Sequence, residues 1–517
     1  MSGPGRFRNP ILPGFHPDPT ICRVGRDFYL ATSSFEYFPG LPLFHSRDLV
    51  DWRPIGHALT RRRQLDLSGI GSSRGIYAPT LRHDGKRFYL VTTLVDGGGN
   101  FMVTARRPEG PWSDPIWIDA QGIDPSLTFD RKRGRVFYTR NGKGTDFDHP
   151  FIHQAEIDPR TGRLRGPLRV IWRGLGGIWP EGPHLYVMNG RYYLMAAEGG
   201  TSYGHAEMIG RADDPFGPFE PGPRNPILTH RDRRRHPVQA LGHADLVTLP
   251  GGEVWAVFLG IRTAGGRHHH LGRETFLAPV SFDGDGWPTI GRRGRVELVM
   301  AGPALPRRPS RPPPPRDDFD GRALAPVWMF LRNPPPGAIS LAARPGHLRL
   351  GGTAATLDDV APVAFVGRRQ QHFAARFRAR LAFEPRRAGD EAGLTVRARE
   401  EVHAEIAVRL GAGGREAAAL ARTRGGARRL LGRAALPAGA VELEIAATAD
   451  AYELAVGVGR RRRVLGRVPT RAFSAETIAR RGTLHFTGAV LGMYATGSGR
   501  PASAPADFDW CEYRALP

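Results

Sequence analysis

The stretch Phe15-His16-Pro17-Asp18-Pro19-Thr20-Ile21 returns four more times in altered form, and that repetition restricts the chain to few folds. Asp18-Pro19-Thr20-Ile21 leads to Phe28-Tyr29, Ala78-Pro79-Thr80-Leu81 to Phe88-Tyr89, and Asp124-Pro125-Ser126-Leu127 to Phe137-Tyr138. Glu181-Gly182-Pro183-His184-Leu185 leads to Tyr192-Tyr193, and His243-Ala244-Asp245-Leu246 to Val254-Trp255. A unit of roughly 50 to 60 residues that recurs in this way marks a repeat architecture. Each unit reads as short strands and Gly-rich turns with no helical period, the pattern of a propeller blade. Five units predict five blades. The lead residue of each starts the same strand, so Asp18, Ala78, Asp124, Glu181 and His243 are expected to converge on the central axis. Acids fill three of those five places, which suits acid–base chemistry better than a core.

Blade one is expected from about Asp18 to Trp52, with strands at 27–32 and 43–46 and a closing turn at 46–52. Closings of the same kind recur at 107–112, 213–219 and 283–287, each a Pro/Gly turn followed by an aromatic that should pack between blades. Asp158-Pro159-Arg160-Thr161-Gly162 repeats the turn without the aromatic. The Asp residues of these closings read as turn formers that bond their own backbone.

The repeat stops near Met300, and 301–316 is Pro-rich, with Pro312 to Pro315 consecutive, as in an extended and semi-rigid connector. Beyond it, 347–350, 374–381, 403–410 and 441–445 alternate polar and apolar residues with period two, as half-buried antiparallel strands do. The expected organisation is all-β: a propeller over 1–300, a linker over 301–316 and a β-sandwich over 317–517.

A formal charge of +23 raises nucleic acid as a partner, but the charge is almost all Arg, with Lys only at 86, 132 and 143. The Arg residues are spread along the chain, and runs such as Arg61-Arg62-Arg63 fall between strand signals, where they read as solvated surface. Neither nucleic acid nor a membrane is expected as a partner. Cys22 and Cys511 lie one in each half within apolar sequence and read as buried thiols. The first seven residues show no apolar h-region, so a cytoplasmic location is expected.

Two carboxylates facing one pocket are what glycosidic bond cleavage requires. One protonates the departing oxygen, and the other activates water or attacks the sugar carbon. The acid must hold its proton near neutral pH, which burial or a neighbouring carboxylate achieves.

The segments 9–19, 33–40 and 271–277 resemble glycoside hydrolase family 43, in particular its β-xylosidase-like members. Past the linker, 317–321, 365–372 and 506–510 resemble that group's C-terminal concanavalin-like sandwich. The resemblance implies a five-bladed propeller and an inverting hydrolase. By motif, Asp18 resembles the general base, Glu181 the general acid, and Asp124 the residue that orients the acid and raises its pKa. His243 resembles the central histidine beneath the sugar, where a Ca2+ or other cation is admitted although no cofactor is required. Arg273 resembles the arginine that contacts sugar hydroxyls, and Phe35 an aromatic of the pocket wall. Tyr77 stands where the family commonly has Trp, which gives a smaller stacking face. Segment 486–492 resembles a sandwich loop that brings a Phe to the pocket in related enzymes, and here Val490 is expected in that place.

His268-His269-His270 is not expected to bind metal, because consecutive strand residues face opposite ways. The expected activity is exo-acting release of pentoses, as a xylan 1,4-β-xylosidase acting on xylo-oligosaccharides. The alternative is an α-L-arabinofuranosidase acting on arabinose-substituted oligosaccharides, or an enzyme with both activities, which the sequence does not separate from it. A non-catalytic carbohydrate-binding protein would predict a broken acid set, and all three acids are present. The sequence leaves the oligomeric state open, a homo-oligomer included.

Overall fold

The structure, a computed structural model, describes residues 5–142, 151–266, 268–310, 312–423, 425–458, 461–479 and 483–516. Residues 1–4 of the N-terminal stretch and Lys143 lie outside the described residues. Five antiparallel sheets of four or five strands follow one another along the first 290 residues. Their first long strands are Thr20–Val24, Thr80–His83, Ile123–Asp130, Glu181–Met188 and Val238–Thr248. Each of these strands lies against the first strands of its two neighbours, and the first also meets the fifth, so the sheets close into a ring. These strands are the five whose openings repeat in the sequence.

Blade one runs Thr20–Val24, Asp27–Ala31, Gly40–Ser46, Arg53–Leu59 in order, so it extends past Trp52. The segment expected to close the blade at 46–52 is instead the turn between its third and fourth strands. The same correction applies at 107–112, 158–162, 213–219 and 283–287, each followed by a fourth strand. The fourth strand of blade one is hard to read because Pro54 and Gly56 interrupt its alternation. The turn chemistry is as expected: the Asp48 carboxylate accepts from the Val50 and Asp51 amides at 3.0 and 2.8 Å, and Asp214 accepts from Phe216 at 2.8 Å. The aromatics that follow do fill the seams between blades. Trp52 packs with Val247 and Trp255, Trp112 with Leu43 and Leu59, Phe219 with Phe137 and Ile152, and Trp287 with Tyr193 and Ile209. Cys22 and Cys511 are buried free thiols.

The second half is a sandwich of an eight-stranded and a six-stranded sheet around a shared apolar core. The outer sheet contains Ala375–Ala382, whose residues alternate buried and exposed as its sequence predicts. The inner sheet contains Val402–Gly411, where seven consecutive residues are buried. That strand was expected to be half-buried. It is covered twice, because one face of its sheet lies on the sandwich core and the other on the propeller. Its polar residues are held in ion pairs: His403 between Glu405 and Asp358, and Glu405 with Arg428. The linker is docked rather than free, with Arg307 donating to Asp51 at 2.6 Å and the Arg308 amide to Asp48 at 2.7 Å.

A buried charge network joins the halves where the pocket wall begins. Arg397, fully buried, donates to Ser72 at 2.9 Å and Glu400 at 3.0 Å, and lies 3.7 Å from Glu36. Arg332 pairs with the same Glu400 and donates to the Ile70 carbonyl at 2.6 Å. Removing one member of a buried ion network strands its partners in low dielectric, at about 3–5 kcal/mol. Arg397→Met is therefore expected to lower stability by about that amount, read as a lower midpoint in guanidinium unfolding. An unchanged midpoint would mean that the network contributes nothing.

Candidate active site

Three of the five inner strands reach the axis with their regular pairing broken. The register slips between Ile123 and Ser126, between Glu181 and His184, and between Gln239 and Asp245. Such bulges re-aim a side chain, and they occur next to active sites. The backbone at the lead residues is left-handed: φ is +52° at Asp18, +54° at Asp124 and +53° at His243, with Gly182 at +58° just after Glu181. Non-glycine residues seldom adopt this region, and strain of this kind gathers at functional sites. At Gly182 a side chain is excluded as well, since a Cβ there would meet His243 Nδ1 at 2.9 Å.

The result is one pocket of about 60 Å3 lined by all five lead residues: Asp18, Ala78, Asp124, Glu181 and His243. Phe35, Tyr77, Ile123, Thr201, Arg273 and Phe486 complete it. Arg273 donates to Asp18 Oδ1 at 2.8 Å and to Oδ2 at 3.3 Å, a two-point grip that fixes the carboxylate plane. Ser33 adds a donor to Oδ2 at 2.5 Å, and His243 Nδ1 lies 3.9 Å from Oδ1. Arg273 also reaches the Thr201 hydroxyl at 3.0 Å and the Phe486 carbonyl at 3.2 Å. Asp124 Oδ2 accepts the Gly182 amide at 3.0 Å, which ties it to the residue after Glu181. Phe35, Tyr77 and Phe486 meet one another with ring centroids 5.1 to 5.9 Å apart.

Burial, and after it the negative charge of Asp124, push the Glu181 carboxyl up from 4.5 to about 8. Asp124 is raised too, by burial first and with Asp18 adding to the effect, while His243 opposes it. Glu181 therefore carries a proton at neutral pH in the same pocket as the ion-paired Asp18. One group can give a proton while another takes one.

All seven residues singled out in the sequence, Asp18, Phe35, Tyr77, Asp124, Glu181, His243 and Arg273, line this pocket. The sandwich loop differs from expectation. Phe486 reaches the pocket, and its amide is held by Ser73 Oγ at 2.9 Å. Val490 is instead fully buried in the core between the two halves. Thr201 and Ser33 went unremarked, although Ser33 sits in the segment that carried the resemblance. The histidine triplet lies in a loop between strands, not on one. His269 pairs with Glu476 of the sandwich at 2.8 Å, so this loop docks the halves together. Among the described residues no three His, Cys, Asp or Glu side chains are placed to hold a metal ion. A larger concavity of about 730 Å3 lies between blade one and the sandwich, lined by Pro334 to Gly337, Trp328 and Ile339. It is lined by no carboxylate.

The sequence matches the family description "Glycosyl hydrolases family 43" over residues 7–288 and "Beta xylosidase C-terminal Concanavalin A-like domain" over 316–514. A ring of sheets with carboxylates of unlike protonation at its centre is a hydrolytic enzyme of carbohydrates. The chain belongs to glycosyl hydrolase family 43. A non-reducing end alpha-L-arabinofuranosidase of Bacteroides ovatus is 44% identical over 515 residues, 99% of this chain and 95% of that one. A xylosidase/arabinosidase of Butyrivibrio fibrisolvens is 42% identical over 77% of this chain and 79% of its own length. The solved structure of Bacteroides ovatus xyloglucan PUL GH43B superposes with a TM-score of 0.94 at 43% identity, covering 99% of this chain and all of that one.

The pair of acids makes a pH prediction. A like charge disfavours ionisation, so removing the Asp124 charge lets Glu181 lose its proton earlier. Asp124→Asn is expected to move the alkaline limb of the kcat/KM profile below its wild-type position near pH 8, by on the order of one unit. A limb that stays in place or moves up would rule out charge coupling as the role of Asp124.

Proposed function

We propose that this hydrolase is exo-acting and inverting, releasing single pentoses as a xylan 1,4-β-xylosidase on xylo-oligosaccharides. The observation that carries the reading is a Glu181 carboxyl raised to about 8 in one small pocket with the Arg-held Asp18. In this reading Glu181 protonates the glycosidic oxygen as it leaves. Asp18 takes a proton from water, which attacks the anomeric carbon from the opposite face. Asp124 keeps Glu181 protonated and, through the Gly182 amide, sets its backbone. Arg273, Thr201 and His243 offer donors to sugar hydroxyls. The Phe35, Tyr77 and Phe486 walls leave room for one sugar end, which favours exo action.

The alternative is α-L-arabinofuranosidase. The 44% identical relative is named as one, and the smaller Tyr77 face in place of Trp is compatible with a five-membered ring. Initial rates on p-nitrophenyl β-D-xylopyranoside and p-nitrophenyl α-L-arabinofuranoside separate the two. A kcat/KM at least tenfold higher on the xyloside is expected, and the reverse ratio would establish the alternative.

Two variants test the assigned roles. Asp18→Asn should lose about a hundredfold to ten-thousandfold in kcat on every substrate, since base catalysis is removed regardless of leaving group. Glu181→Gln should lose far more on xylobiose than on an activated aryl xyloside, whose leaving group departs unassisted. Equal losses on both substrates would exclude Glu181 as the acid, and an Asp18→Asn enzyme retaining a tenth of kcat would exclude Asp18 as the base.

A further inference from the structure

Behind the loop that carries Asp18 lies a second cavity, of about 170 Å3, between blade one and the sandwich. It shares no lining residue with the active-site pocket. Its walls are largely apolar, with Leu12, Phe44 and Val327 among them, but His16, Arg368 and Arg369 also line it. Arg368 and Arg369 are each only 7% exposed, and His16 6%.

Three other buried guanidinium groups face carboxylates: Arg273 meets Asp18, and Arg332 and Arg397 both meet Glu400, whereas Arg140 bonds only the Asn141 carbonyl among the described residues. Arg369 has no such partner among the described residues. Its Nε donates to the Phe15 carbonyl at 2.5 Å, its plane lies 5.3 Å over the Phe15 ring, and its terminal nitrogens find no acceptor. Burial lowers its pKa to about 10, with only the Tyr37 hydroxyl opposing. Arg368 stacks 4.2 Å over Tyr513 and makes one long bond of 3.4 Å to Gln371. Its Nε is buried without a partner. The nearest carboxylate acting on it, Asp317, already accepts from Trp328 and Phe319. His16 Nδ1 is buried and unpartnered, as is Nε2 of His57 on the adjoining groove. Burial and the positive charge of Arg369 both hold these two histidines neutral.

Unpaired buried cations are unfavourable, and unmet donors beside them add to the penalty. A negatively charged group with several acceptor oxygens answers both. We propose that this cavity is a binding site for a small oxyanion, held by Arg368 and Arg369 with His16 Nδ1 as a further donor. The occupant braces the outer side of the Phe15-to-Asp18 loop against the sandwich, because Arg369 already grips that loop at Phe15. Inorganic oxyanions and small organic carboxylates share this chemistry. The apolar walls distinguish them, since they give extra contact to a carboxylate with a ring or chain attached.

The test is the melting temperature of the full-length enzyme titrated with sulfate, phosphate or benzoate against chloride at matched ionic strength. A saturable rise beyond chloride is expected, with benzoate half-saturating below sulfate if the occupant is organic and above it if inorganic. Arg369→Met and Arg368→Met should each raise the half-saturating concentration at least tenfold, and Arg369→Lys should fall between. Should either methionine variant fail to fold, a selenate-soaked crystal of the wild-type enzyme locates the anion directly by anomalous scattering between the two guanidiniums. Absence of a saturable rise, an unaltered response in the folded variants, or a cavity that holds only water would overturn the proposal. Selenate seen in the crystal without any saturable effect in solution would mark an adventitious ion only and would overturn it equally.

Discussion

Three carboxylates share a small pocket with one guanidinium, and this crowding of like charge governs the rest of the molecule. Left alone, such a group would repel itself open. The ring of sheets prevents this, because Asp18, Asp124 and Glu181 are fixed by three different blades whose seams are closed by packed aromatics. Arg273 neutralises Asp18 and leaves the remaining tension to Glu181, which responds by keeping its proton. The same electrostatics that would destabilise an ordinary core thus prepares an acid.

The sandwich takes part in this arrangement. Its inner sheet is covered on both faces, so the two halves share a core and behave as one wall. Phe486 closes the pocket from that side, and Glu36, beside Phe35, is held through Arg397. The Pro-rich segment is laid along blade one by Asp48 and Asp51, which fixes where the second half can dock.

The acids of the pocket were legible because three acids recur at one register of a repeat, a coincidence that turns or caps do not explain. Ala78 and His243 were found by the same register, although neither is an acid. The bulges that aim these residues were not legible, since nothing in Asp124-Pro125-Ser126 states how many residues will oppose one. Phe486 was missed in favour of Val490 for a reason of close packing. A Cβ on Gly272 would lie 2.9 Å from Gly488 Cα, and one on Gly488 would lie 2.2 Å from the Leu271 carbonyl. Two distant glycines thus let two loops touch, and that contact sets which residue of the loop points inward. The cavity beside Arg368 and Arg369 was equally hidden, because both read as ordinary residues at the end of a strand.

Among the five blades, the second gives the pocket no carboxylate or imidazole: it offers Ala78, with Tyr77 beside it. In the proposed mechanism the other four supply the groups that handle the proton or its electrostatics, so a change in any of them would alter the reaction itself. Blade two is therefore the place where substrate choice can drift while chemistry stands still. A bulkier or smaller side chain at Ala78 or Tyr77 reshapes the sugar's berth without disturbing any charge. Relatives that differ in the pentose they release could share every proton-handling residue and part company at this one blade.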